Sequence, residues 1–212
     1  MSNALQEHLA SMPVIAILRG VTPDSVIDIA QAIIEAGITV IEVPLNSPDA
    51  LQSIGLLDKH LHSKGIFGCG TCVDLDSATA VASAGAKIMV TPNTNPEIIA
   101  HAITLGMTPI PGWATVSEAF AAYHAGARHL KLFPASTYGE DHIKAARAVL
   151  PPDAQILAVG GVGASNAAAW FAAGVSGLGI GSDIYKAGFS ADEVSSRASS
   201  IASAIGEISV DG

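Results

Sequence analysis

The chain has 212 residues, half of them hydrophobic and only 14% charged, with a formal net charge of −9. That much apolar material suits one large core in a single domain and excludes an intrinsically disordered chain. The acidic balance, with no Lys/Arg-rich run, excludes non-specific nucleic-acid binding, which needs a positive footprint, while a local site can still take an anion.

Ala4 to Ser11 reads as a short amphipathic helix, suited to cap one end of the fold. Pro13 opens Val14-Ile15-Ala16-Ile17-Leu18, a continuous apolar run that suits a strand buried on both faces and ends at Arg19-Gly20. Thr22-Pro23-Asp24 combines an N-cap candidate, a proline at the first helical position and an acid in the first turn. The helix runs to about Ala36 and stops at Gly37, a residue suited to the left-handed C-terminal cap.

The same pattern then repeats. Strands are expected at Thr39–Val43, Ile66–Cys69, Lys87–Val90, Thr108–Ile110, Arg128–Phe133, Gln155–Val159 and Gly177–Ile180. Helices are expected at Pro48–Lys59, Leu75–Ala84, Asn95–Leu105, Val116–Ala125, Gly139–Val149, Ala164–Ala173 and Ala191–Ile205. Eight strand-then-helix units in one short chain point to a parallel sheet closed into a (β/α)8 TIM barrel. An open doubly wound sheet is the alternative. It is disfavoured because no G-x-G-x-x-G follows the first strand and no composition break marks a second domain.

In such a barrel, chemistry gathers at the C-terminal ends of the strands. The unusual residues fall there: Arg19, Glu42, Thr71, Pro92, Lys131, Gly160-Gly161, and Gly181 with Ser182. Lys131 interrupts the apolar run Leu130-Lys131-Leu132-Phe133-Pro134. Burial disfavours its ammonium, and a neutral amine at a strand end is a nucleophile for carbonyls. Glu42, within Val40-Ile41-Glu42-Val43-Pro44, needs a partner or a raised pKa, and a carboxyl beside an amine can shuttle protons. A plain Lys131–Glu42 ion pair is the structural alternative. The glycines of the last two strand ends suit a phosphate, since glycine lets backbone N–H groups approach an oxyanion closely; tight turns are the plainer account.

Other polar residues invite plainer explanations. Lys87 precedes its apolar run, so it belongs at the opposite face with its head in solvent. Lys59, Lys64, Lys144 and Lys186 read as solvated surface charges. Cys69-Gly70-Thr71-Cys72 is formally a C-x-x-C, but lies at a barrel strand end, where small, buried or half-buried thiols are expected. His60 and His62 lack a third ligand, so no metal is expected. No stretch reaches transmembrane length. No basic segment followed by an apolar one opens the chain, and the expected compartment is the cytoplasm.

Ile15-Ala16-Ile17-Leu18-Arg19-Gly20, Glu42-Val43-Pro44-Leu45-Asn46-Ser47-Pro48, Lys131-Leu132-Phe133-Pro134 and Gly160-Gly161-Val162 together resemble the class I 2-keto-3-deoxy-6-phosphosugar-acid aldolases, from Val14 to about Gly188 and in the right order. Asn46, where the gluconate branch often has arginine, and Ala158-Val159, where it favours Pro-Thr, resemble the galactonate branch. Cys69 and Cys72 depart from the small or aliphatic residues usual there. The resemblance implies a TIM barrel, a homotrimer, no cofactor, and cleavage of a 2-keto-3-deoxy phosphosugar acid to pyruvate and glyceraldehyde 3-phosphate. It implies Lys131 as the Schiff-base lysine and Glu42 as proton donor and acceptor. Arg19, Thr71 and Pro92 fall at the carboxylate and keto end, Phe133 packs beside the imine, and Val159, Gly160, Gly161, Gly181 and Ser182 also bind substrate, with the glycines and Ser182 on the phosphate. The alternatives within the family are the gluconate epimer and 4-hydroxy-2-oxoglutarate. Outside it stand a phosphosugar isomerase or epimerase using Glu42 as base, and a non-catalytic phosphometabolite-binding barrel.

Overall fold

The computed structural model describes residues 2–210, with side chains from 4 to 208. Helix α1 (Ser2–Ser11) leads into β1 (Val14–Ile17), α2 (Pro23–Glu35), β2 (Val40–Pro44), α3 (Ala50–Leu61), β3 (Ile66–Gly70), α4 (Leu75–Ser83), β4 (Ile88–Val90) and α5 (Pro96–Thr104). The second half runs β5 (Thr108–Ile110), β6 (Gly112–Trp113), α6 (Val116–His124), β7 (His129–Leu132), α7 (Ala135–Tyr138), α8 (Glu140–Arg147), β8 (Gln155–Val159), α9 (Ala167–Ala172), β9 (Gly177–Ile180) and α10 (Ala191–Val210). Among the described residues no helix is long and apolar enough to cross a membrane.

Every strand pairing is parallel, in the order β5-β4-β3-β2-β1-β9-β8-β7-β6. The two ends of that order are one stretch of chain broken at Pro111. Its first half pairs with β4 and its second half with β7. The Pro111 carbonyl accepts the Lys131 N–H at 2.9 Å, so the switch of partner closes the ring. The result is a (β/α)8 barrel whose fifth strand is split, which makes nine strand segments where the sequence suggests eight. A proline has no N–H to give a ladder, and the ladder changes sides at that residue.

Helix α6 shows how a short local signal becomes structure. Thr115 accepts the Glu118 N–H, and the Glu118 carboxylate accepts the Thr115 N–H at 2.8 Å, a reciprocal cap. At the end of α2, Gly37 adopts φ +94, the left-handed geometry expected of it. The chain between β7 and β8 differs from expectation: two helices stand there, because Gly139 (φ +76) separates α7 from α8.

Side chains alternate along each strand. Leu130, Leu132, Ile41, Val43, Ile156 and Ala158 join the outer core between sheet and helices. Ile15, Val40, Ile88, Val90, Ile110 and Leu157 fill the barrel interior. Leu5 and Leu9 of α1 pack into that interior cluster, so the helix stops the lower end of the barrel. The upper end stays open.

Candidate active site

The alternation that sends Ile41 and Val43 outward sends Glu42 inward, and that of Leu130 and Leu132 does the same for Lys131. Both reach a cavity of about 580 Å³ at the C-terminal ends of the strands, within the usual size for a small-molecule site. All eleven residues singled out from the sequence line it: Arg19, Glu42, Thr71, Pro92, Lys131, Phe133, Val159, Gly160, Gly161, Gly181 and Ser182.

Lys131 is 6% exposed and its Nζ lies 4.7 Å from the Phe133 ring centroid. Burial holds its pKa below the usual lysine range; Glu42 pulls it back up, and the charge of Arg19 pushes it down further. Glu42 is 3% exposed, and burial raises its pKa to about 7, with Lys131 and Arg19 working against that rise. Its Oε2 is buried with no hydrogen-bond partner among the described residues. A polar oxygen left so is expensive unless a ligand or water engages it. The pair thus places an amine that can be neutral beside a carboxyl that can be protonated or ionised near neutral pH.

Gly70 makes room for that carboxylate. A Cβ there would overlap Oε2 and the carboxyl carbon of Glu42. Nothing in the sequence marks Gly70 except its place one residue before Thr71. Thr71 itself holds φ +59, a left-handed conformation uncommon for a β-branched residue and a form of strain that gathers at functional sites.

Arg19 is exposed at the rim, and its Nη1 donates to Asn46 Oδ1 at 2.8 Å. Ser47 Oγ accepts the Gly20 N–H at 2.9 Å, tying the loop after β1 to the loop after β2. Across the cavity, Val159 pairs with Gly179, which brings Gly160-Gly161 beside Gly181-Ser182. Gly160 and Gly161 have φ +98 and +73, and a Cβ on Gly161 would strike Ser136. Asn166 steadies this loop: its Nδ2 donates to the Gly161 carbonyl, and its Oδ1 accepts the Gly163 N–H, both at 2.9 Å.

Asn166 lines the cavity unanticipated, since nothing in its neighbourhood except the preceding glycines marks it. Lys186 has a second place beyond the expected one. It is exposed, as a surface lysine should be, yet it also lines the cavity on the Ser182 side. The turn after β9, in which Ile184 and Tyr185 N–H groups donate to the Gly181 carbonyl at 2.9 Å, brings it there. Cys69 and Cys72 are both free and both buried, as expected of small thiols.

The family described as "Aldolase: KDPG and KHG aldolase" matches residues 5–198. Over 196 residues the chain is 44% identical to 2-dehydro-3-deoxy-6-phosphogalactonate aldolase of Escherichia coli (strain K12), spanning 92% of this chain and 96% of that one. The solved structure described as "Native KDPGal structure" superposes with a TM-score of 0.92 at 44% identity, over 94% of this chain and 97% of that one. KDPG aldolase from Legionella pneumophila, solved with pyruvate captured at low pH as a covalent carbinolamine intermediate, is 25% identical with a TM-score of 0.83, over 93% of this chain and 97% of its own. On that length of shared sequence and that barrel, the chain belongs to the KDPG and KHG aldolase family.

Proposed function

We propose that this class I aldolase reversibly cleaves 2-dehydro-3-deoxy-6-phospho-D-galactonate to pyruvate and D-glyceraldehyde 3-phosphate. The observation that carries the chemistry is the convergence, in one cavity, of a buried lysine and a buried carboxylate, one oxygen of which has no hydrogen-bond partner among the described residues. Neutral Lys131 attacks the C2 ketone, and loss of water gives an iminium. The iminium draws the electrons of the C3–C4 bond as Glu42, directly or through water, takes the proton of the C4 hydroxyl. Glyceraldehyde 3-phosphate leaves. The enamine is protonated at C3, and water releases pyruvate and the free amine. Glu42, with a pKa of about 7, suits both halves of that proton traffic.

Arg19, held by Asn46, and Thr71 take the carboxylate and keto end, with Pro92 as a wall. Phe133 shields the imine from water. The loops of Gly160-Gly161 and Gly181-Ser182 take the phosphate with backbone N–H groups. The galactonate epimer is favoured by Asn46, by Val159 before the glycine pair, and by the 44% identity to a protein of that name. On the family resemblance, the protein is a single-domain, cytoplasmic homotrimer that takes no cofactor. Light scattering should then give three times the 21.4 kDa chain mass.

Incubation with pyruvate and borohydride, followed by peptide mapping, tests the chemistry. One reduced adduct on Lys131 is expected. A folded protein with no adduct would remove the imine and leave an isomerase or a binding barrel. Turnover of the gluconate epimer at least equal to that of the galactonate epimer would reassign the substrate, and preference for 4-hydroxy-2-oxoglutarate would do the same.

A further inference from the structure

We propose that Lys186 is a substrate-binding residue of this aldolase: its ammonium holds the phosphate at the outer end of the cavity and favours phosphorylated substrate. The inference deepens the reading above, and rests on it, by adding a side chain to a phosphate site otherwise made of backbone N–H groups and Ser182.

Five residues lining the cavity carry side chains that can be charged: Arg19, Glu42, Lys131, Asp183 and Lys186. Three of them are already engaged. Glu42 and Lys131 are buried together, and Arg19 is held by Asn46 Oδ1. Asp183 and Lys186 remain, both on the turn that follows Gly181-Ser182. The Asp183 carboxylate lies against the facing loop, where a Cβ on Gly163 would overlap its Oδ2. The phosphate end therefore carries a carboxylate, in a chain of net charge −9. A phosphate monoester near neutral pH is mostly a dianion, and like charges at close range repel. Backbone N–H groups offer only partial charges against that. Lys186 is the cation placed to offset it. Among the described residues neither Lys186 nor Asp183 belongs to an ion pair, so the ammonium is available to a ligand.

The main chain that carries Lys186 is fixed. Ile184 and Tyr185, just before it, are 0% and 5% exposed. The Lys186 carbonyl accepts the Phe189 N–H at 3.0 Å. A Cβ on Gly20 would lie 3.2 Å from that of Ala187, so the turn also packs on the loop that carries Arg19. The mobile part is the side chain, a compact point charge on a flexible four-carbon stem. From the exposed rim it can meet an arriving phosphate and follow it onto the glycine loops. Lys59, Lys64 and Lys144 are exposed too, but they do not line this cavity.

The test separates substrate that carries phosphate from substrate that does not. In the full-length enzyme, Lys186→Met should raise KM for the phosphosugar acid by about 10-fold, the low end for a charge-assisted bond, with little change in kcat. Pyruvate has no phosphate, so the pyruvate concentration that half-saturates borohydride trapping should match that of the parent. Lys186→Arg should restore most of the KM. An unchanged KM, a loss confined to kcat, an equal rise for pyruvate, or a Lys186→Arg enzyme no better than Lys186→Met would each overturn the proposal. A parent enzyme that cleaves none of the candidate substrates would overturn the aldolase reading instead. Phosphorus NMR titration with glycerol 3-phosphate, a phosphate monoester with no carbonyl, would then still decide Lys186. The parent should bind it about 10-fold more tightly than Lys186→Met, and equal binding would overturn the assignment.

Discussion

Two lysines border apolar strands at opposite ends of this barrel. Lys87 stands just before β4, its side chain 56% exposed and its Nζ 3.5 Å from Asp58 Oδ1. Lys131 stands inside β7, 6% exposed, beside a carboxylate in a cavity. Residue type and apolar neighbours are the same, and the direction of the chain separates them. A lysine that precedes its strand comes to the lower rim and reaches water, while one that points inward near a strand's C-terminal end is trapped in the upper mouth. Position along the barrel axis decides whether such a lysine is a solvated surface charge or a buried amine in the cavity.

His129 extends the comparison within one strand. It lies two residues before Lys131, so alternation sends it inward too, but at the lower end, beside Leu9 and Ala10 of α1. It is 2% exposed, neither ring nitrogen has a hydrogen-bond partner among the described residues, and burial lowers its pKa to about 4. Both ends of the barrel therefore bury a titratable group. The upper one opens to a cavity of about 580 Å³, and the lower one is roofed by a helix.

The sharpest way to break this contrast is to remove each group in turn. Lys131→Met should leave a folded protein with no measurable turnover and no pyruvate adduct. Substantial remaining activity in a cleavage assay would refute its assignment. Glu42→Gln should still trap the pyruvate imine, while proton transfer slows by about 10²–10⁴-fold, the range for general acid–base catalysis. If Glu42 is the base, parent turnover should fall as pH drops below about 7, where Glu42 gains its proton, and that acid limb should be missing in the variant. Gly70→Ala keeps Lys131 and Glu42 but drives the Glu42 carboxylate from its place. Its imine should also form, with turnover down by about 10²-fold. An unaffected rate would mean that the carboxylate has slack that the packing around Gly70 does not suggest.

The lower end should answer in stability and not in rate. His129 has a folded pKa of about 4 against an ordinary value of 6.5, so the unfolded chain binds more protons between those values. Stability should therefore fall as pH drops from 6.5 towards 4, by about 3 kcal/mol from this residue alone. His129→Leu should flatten that limb in urea titrations at several pH values, with turnover near neutral pH little changed. Lys87→Met should move stability by no more than about 0.5 kcal/mol, because an exposed ion pair contributes little, and should leave catalysis untouched.

Much of the barrel was legible because its code is local. Runs such as Val14-Ile15-Ala16-Ile17, helix starts such as Thr22-Pro23-Asp24, and stops such as Gly37 are written within a few residues. Lys131 and Glu42 stood out because a charge inside an apolar strand demands an explanation. The break at Pro111 was harder to read, because a strand that changes partners halfway looks locally like a strand that ends. Gly70 is silent in the sequence because a glycine states no chemistry of its own, and its role is the space it leaves to Glu42. Asn166 and Lys186 reach the cavity through turns after β8 and β9, where no periodicity says which way a side chain points.

The order of strands and helices, and the residues whose burial needs compensation, follow from local pattern, because alternation and capping act over one or two turns of chain. That Glu42 and Lys131 share one cavity, and that Gly70 leaves the room the carboxylate occupies, come from the packing of the whole chain. Those relations join residues far apart in the chain, and they exist only once the ring of strands has closed.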